Sequence, residues 1–112
     1  MDIYQNKRIE VLDPGHSYNL DNLDGGTQRL DFIKKELSQK QPPEGGVLET
    51  VQNGTTNEAV LAVLIDRMRF LNEKLPSRQG SIAITKLEEA LMWLEHRTRE
   101  RLQRRVEGTN KS

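Results

Sequence analysis

Apolar positions along the 112-residue chain follow two rhythms, which change near Asn53-Gly54-Thr55-Thr56. Upstream, Ile9 and Val11 are interleaved with Arg8, Glu10 and Leu12, and Leu30 and Phe32 with Arg29 and Asp31, a period of two that predicts half-buried strands. Val47, Glu49 and Val51 predict a third such segment. Asp13-Pro14-Gly15, Asp24-Gly25-Gly26 and the stretch Gln41-Pro42-Pro43-Glu44-Gly45-Gly46 carry turn and loop chemistry. Asp24-Gly25-Gly26 predicts a hairpin that joins a strand at Ser17 to Leu20 to one at Gln28 to Ile33. A small antiparallel β-meander over residues 1–53 is expected.

Downstream the rhythm lengthens. Thr55-Thr56-Asn57-Glu58 has the spacing of a capping box, in which a threonine hydroxyl and a glutamate three residues on satisfy each other's free backbone N–H groups. Leu61, Leu64, Met68, Leu71 and Leu75 then recur at steps of three and four, predicting a helix with a coiled-coil-like seam that Val60, Val63 and Ile65 broaden. Pro76 ends it, and Pro76-Ser77-Arg78-Gln79-Gly80 is short enough to force an antiparallel return. A second helix is expected from about Ser81 to Arg105, with Ala83, Leu87, Ala90 and Leu94 as its stripe and Ile84, Leu91 and Leu102 widening it. At about 1.5 Å per residue the first helix spans about 28 Å and the second about 37 Å, so the end of the second projects. The expected fold class is α+β: residues 1–53 a β-rich segment, residues 54–112 a helical hairpin with a basic end, one compact domain in all.

Composition adds a constraint. Hydrophobic residues make up 34% of the chain and charged ones 30%. A chain this small buries a modest share of its surface, so self-association is expected to supply further burial. Lys+Arg 17 and Asp+Glu 17 cancel, which argues against a nucleic-acid polymer or an anionic membrane as the main partner. The balance is uneven along the chain: residues 1–56 carry 6 basic and 9 acidic side chains, residues 57–112 carry 11 and 8, and from His96 onward the count is 6 to 2. The absence of cysteine excludes disulfides, thiolate nucleophiles and Cys-ligated zinc. The apolar runs fall short of the roughly 20 residues a spanning helix needs, and Met1 to Gln5 lacks a signal-peptide pattern, so a cytoplasmic location is expected.

The basic end holds Arg97, Arg99, Arg101, Arg104 and Arg105 with Glu100 among them. Cations at a helix C-terminus are favoured by the helix dipole, and that accounts for such a run without any ligand. The alternative is a phosphate clamp, since guanidinium forks match phosphate oxygens bidentately. Arg97, Arg101 and Arg105 are spaced by four and share a face; Gly108-Thr109 follows with a backbone N–H and a hydroxyl. Phe70 falls between seam positions, where its ring could stack on a base or pack on a neighbour. Trp93 and Met92 also flank the seam and point to subunit packing. His16 and His96 lack a partner set for catalysis at recognisable spacing; Asp13 with His16 as metal ligands, or His16 with Ser17 as base and nucleophile, are weak patterns. Gly25-Gly26 and Gly45-Gly46 are isolated doublets without Walker or Rossmann spacing.

Residues Gly54 to Asn110 resemble the helical hairpin shared by phage Thoeris anti-defence proteins and the related anti-CBASS cyclic-nucleotide sponges. The matching stretches are Gly54-Thr55-Thr56-Asn57-Glu58, Leu64-Ile65-Asp66-Arg67, the block from Thr85 to Leu94 (Thr-Lys-Leu-Glu-Glu-Ala-Leu-Met-Trp-Leu), Arg97-Thr98 and Val106-Glu107-Gly108-Thr109. Tyr18-Asn19-Leu20-Asp21-Asn22 and Leu30-Asp31-Phe32-Ile33 resemble the strand region that separates the Thoeris branch from the anti-CBASS branch. The resemblance implies a non-enzymatic, cofactor-free sponge that sequesters cyclic ADP-ribose isomers and, in some members, cyclic di- or trinucleotides, in pockets between the subunits of a dimer or hexamer. It implies that Phe70 stacks on a base, that Arg97 and Thr98 meet phosphate or ribose, that Arg78 and Arg101 join them, and that Gly108 and Thr109 close over the ligand. Two departures stand out. The linker of relatives often reads Cys-Arg-Glu-Asn where this chain has Ser77-Arg78-Gln79-Gly80, and relatives tend to carry glycine and histidine at the positions of Arg105 and Asn110. An enzyme that degrades the messenger and a helical interaction module are the rival classes.

Overall fold

The structure is a computed structural model and describes residues 8–37 and 48–110. Val47 and the Gln41 to Gly46 stretch lie outside the described residues. As the two rhythms predict, antiparallel strands precede two helices, an α+β order. The chain divides into two compact units, Met1–Thr56 and Asn57–Ser112.

In the first unit β1 (Ile9–Asp13), β2 (Ser17–Asp21) and β3 (Thr27–Asp31) form an antiparallel sheet in that order. Val11 and Leu30 stand opposite Tyr18 on either side, and the register shifts between Val11 and Asp13, leaving Leu12 as the extra residue of a bulge. Gly25 and Gly26 make the β2–β3 turn with φ of 111° and 80°, backbone that L side chains rarely adopt.

The expected strand from Gln28 to Ile33 does not run through. It stops at Asp31, where Phe32 forms an isolated parallel bridge with Thr55. Thr55 N donates to Asp31 O, and Ile33 N donates to Thr55 O, each at 2.9 Å. The chain then enters β4 (Lys34–Leu37), paired antiparallel with β5 (Leu48–Gln52). Sequence periodicity missed β4 because Lys34-Lys35-Glu36 carries no apolar alternation; pairing with β5 makes it a strand. Gly54 packs against this crossing: a Cβ there would lie 2.5 Å from Asp31 O and 2.6 Å from the Phe32 carbonyl carbon.

A polar knot holds the two sheets together. Ser17, 1% exposed, donates through Oγ to Asp31 Oδ1 at 2.7 Å and accepts from Gln52 Nε2 at 3.1 Å. The same Gln52 amide donates to Phe32 O at 3.3 Å. The Ser17 hydroxyl, with the Arg29 guanidinium beside it, holds the Asp31 carboxyl below its ordinary range. A carboxyl with a lowered folded-state pKa adds stability above its unfolded value, and that stability is lost as pH falls below about 4 and through the folded value. Asp31→Asn is therefore expected to flatten the acid limb of the melting-temperature profile. Identical acid limbs for the two proteins would contradict this.

The second unit is a pair of helices, α1 (Asn57–Lys74) and α2 (Arg78–Asn110). α1 starts one residue later than the capping-box register at Thr55 requires, because the Thr55 N–H is already bound to Asp31 O. α2 starts earlier than expected. Ser77 caps it, its Oγ accepting from Gly80 N at 2.9 Å, and Asn72 Oδ1 accepts from Ser77 N at 3.0 Å. Gly80 leaves room for that amide, since a Cβ there would lie 2.5 Å from Asn72 Oδ1.

The inter-helix seam is displaced from the one predicted. On α1 it runs through Leu61, Ile65, Met68 and Asn72, and on α2 through Gly80, Ile84, Leu87, Leu91 and Leu94, with Ile65 and Ile84 the most buried at 4% and 9% exposed. Leu64, Leu71, Leu75 and Ala90, placed in the seam by sequence, are exposed. A two-helix pair encloses one narrow line of side chains, and α1 carries more apolar residues than that line can hold. Val63, Leu64, Phe70 and Leu71 on α1, Leu75 just after it, and Ile82, Met92, Trp93 and Leu102 on α2, remain uncovered.

Candidate functional site

Pairing of the helices fixes where each candidate side chain lies along the hairpin. Asn72 Nδ2 donates to Ser81 Oγ at 3.2 Å, and Arg69 is ion-paired with Glu88. Counting back from Asn72, the first residue of α1 comes level with about residue 96 of α2. The segment 97–110 therefore has no α1 residue alongside and extends about 21 Å past it.

Along α2 the seam repeat of four and three continues past Leu94 to Thr98, Arg101 and Arg105. The line of side chains that is apolar beside α1 thus becomes polar where α1 ends, at Thr98 and Arg101. Arg97 sits on the flank of that line, one turn from Arg101. Among the described residues, Arg97, Arg99, Arg101 and Arg104 have no carboxylate in salt-bridge range, and the one acid between them, Glu100, lies 3.2 Å from His96. The Thr98 hydroxyl donates to Leu94 O at 3.1 Å, which leaves its lone pairs available to a donor from outside. The arginines read in sequence as a basic run; the heptad carried forward from Ile84 also separates Arg101, on the seam line, from Arg99, off it.

The sequence reading places Gly108 and Thr109 beyond a helix that ends near Arg105. They lie in the last turns of α2, which continues to Asn110 because no breaker precedes Gly108 and a single glycine costs only about 1 kcal/mol.

Phe70 and Arg78 occupy the other end of the hairpin. Phe70, 57% exposed, lies on the face of α1 turned away from the seam, and the Lys74 ammonium sits 4.4 Å from its ring centroid. Phe70 is level with about residue 83 of α2, some 21 Å along the axis from Arg97. Within one chain the candidates therefore form two clusters, Phe70 with Arg78 near the turn and Arg97, Thr98 and Arg101 on the arm.

The histidines stand apart from both. His16 Nδ1 lies 3.1 Å from Pro14 O and 4.0 Å from Asp13 in a turn, while His96 touches Trp93 edge-on at 5.9 Å between ring centroids. Among the described residues no group of three or more His, Asp or Glu side chains is arranged to hold a metal ion. A shallow depression at the β2–β3 turn, lined by Arg8, Asp21, Asn22 and Thr27 among others, contains none of the candidate residues. No described helix is long and apolar enough to cross a membrane.

An antiparallel helical hairpin with an overhanging arginine arm, preceded by a small β region, defines a class of α+β protein. The family model described as Acb2/Tad1, hairpin domain, matches residues 33–99, more than half of the chain, and the chain belongs to that family. The match takes in Phe70, Arg78, Arg97 and Thr98 and stops short of Arg101, Gly108 and Thr109. The protein named Thoeris anti-defense 1, of Bacillus phage SBSphiJ7, is 52% identical over 67 residues, 59% of this chain and 47% of the relative. The match thus spans about half the length of that relative.

Proposed function

We propose that this chain is a viral anti-defence sponge: it binds a cyclic nucleotide messenger of bacterial immunity in the cytoplasm of the infected cell and withholds it without cleaving it. The observation that carries the reading is the pair Arg97 and Arg101, one helical turn apart, without carboxylate partners among the described residues, on an arm that overhangs its neighbouring helix. Two such guanidiniums suit the closely spaced phosphates of a cyclic ADP-ribose isomer, or those of a cyclic di- or trinucleotide. The name of the Bacillus phage relative supports Thoeris signalling as the target; CBASS messengers are the next class to test.

The ligand site is composite in this reading. Phe70 and Arg78 of one copy meet Arg97, Thr98 and Arg101 of a partner, which answers the separation of the two clusters within a chain. The uncovered apolar faces of α1 and α2 support such a homo-oligomer, either a dimer or a hexamer. A non-catalytic sponge acts by affinity alone, and nanomolar capture needs about −12 kcal/mol. Charge-assisted hydrogen bonds at about 1.5–3 kcal/mol each, with base stacking at about 1–3 kcal/mol, reach that range when several act together in a site closed by subunit contact.

Titration calorimetry with cyclic ADP-ribose isomers and cyclic oligonucleotides, on the intact chain and on Phe70→Ala, tests it. The intact chain is expected to bind at least one of them tightly, and Phe70→Ala to bind about 1–3 kcal/mol more weakly with an unchanged melting temperature. A lowered melting temperature with unchanged affinity would make the ring a packing group. Absence of binding across the panel would overturn the reading.

A further inference from the structure

The Phe70 ring is exposed on the outer side of α1, yet one of its faces is already occupied. Lys74, one helical turn on, holds its ammonium 4.4 Å from the ring centroid, well inside the range of a cation–π contact. Among the described residues Lys74 makes no other polar or ring contact. We infer that Lys74 is the positioning and selectivity residue of the base-stacking station: it caps one face of Phe70, fixes the ring for a single base on the other face, and favours an electron-rich purine there.

Two physical effects favour this arrangement. An unrestrained phenylalanine on a helix surface must lose side-chain rotamer freedom when a base stacks on it, and the Lys74 contact restricts the ring beforehand. A cation on one face also draws π density toward itself, and the opposite face becomes more positive. Stacking follows the electrostatics of the two π systems, so the capped ring suits adenine or guanine better than a pyrimidine. This inference rests on the sponge reading and on the role of Phe70 in it.

Lys74 also lies in the last turn of α1, where any cation stabilises the helix, so the test must separate that role from ligand selection. Lys74→Met keeps the hydrocarbon stem and removes the charge, whereas Lys74→Arg keeps a cation that can stack. Each is titrated with a cyclic ADP-ribose isomer and with cyclic di-AMP and cyclic di-UMP as a purine and pyrimidine pair. Lys74→Met is expected to bind the adenine probes about two- to fivefold more weakly, to narrow the ratio between purine and pyrimidine probes, and to be rescued by Lys74→Arg. Wild-type affinity and selectivity in Lys74→Met would overturn this inference while leaving the sponge reading intact, as would failure of Lys74→Arg to restore binding. Failure of the unsubstituted chain to bind any probe would overturn both.

Discussion

Arg97→Ala with Arg101→Ala is expected to abolish nucleotide capture while the hairpin stays folded. Each guanidinium makes charge-assisted hydrogen bonds worth about 1.5–3 kcal/mol, so their joint removal weakens binding by about two to four decades. The fold is expected to tolerate the change for three reasons. Both residues lie on the stretch of α2 that α1 does not cover, neither is in an ion pair among the described residues, and alanine is the best helix former. Circular dichroism checks the helix and calorimetry the affinity. Because charges on an exposed arm are screened, the wild-type affinity is also expected to fall with added salt. Retained nanomolar affinity in the double variant would remove the arm from the site.

Gly54→Ala is expected to be the most destabilising single substitution in the β region. The added methyl would meet backbone, Asp31 O at 2.5 Å and the Phe32 carbonyl carbon at 2.6 Å, and backbone cannot swing aside as a side chain can. Gly54 does not have positive φ, so the requirement is for space and not for an unusual dihedral. Relief would separate the two segments and strain or break the bonds from Thr55 N to Asp31 O and from Ile33 N to Thr55 O. Overpacking together with loss of those bonds comes to about 2–4 kcal/mol. Urea unfolding, with hydrogen exchange at the Ile33 and Thr55 amides, checks it. Unchanged stability with both amides still protected would show that the crossing relaxes without cost.

The strand-and-hairpin plan was legible because it rests on local chemistry. Gly25-Gly26 marked a real turn, and Pro76 and Ser77 stand between the two helices. What local reading missed was decided by pairing at a distance. β4 is polar and becomes a strand only beside β5. Phe32 and Ile33 look like the end of β3, yet the strand stops at Asp31, where Thr55, more than twenty residues on, takes the Asp31 carbonyl and the Ile33 N–H.

The seam was misplaced for a different reason. Leu64, Leu71 and Leu75 are as apolar as the residues that are buried, so composition cannot rank them. Geometry centred the seam on Ile65, between Leu61 and Met68, which the sequence had placed there, and left the others outside. Their exposure is itself informative: the helices carry more apolar surface than one pair consumes. In the candidate site, the residue types and their spacing were readable. The separation of Phe70 from Arg97 was not, because it depends on which residue of α1 stands level with which residue of α2.

Retention of an unaltered messenger is the direct measure of the central claim. The protein is incubated with a cyclic ADP-ribose isomer, freed of unbound nucleotide by gel filtration, denatured by heat, and the released small molecule identified by mass spectrometry alongside the mass of the native assembly. The nucleotide is expected to come back chemically intact, in stoichiometric amount, from an oligomer. Release of a hydrolysed product, or a protein fraction that carries no nucleotide at all, would contradict it.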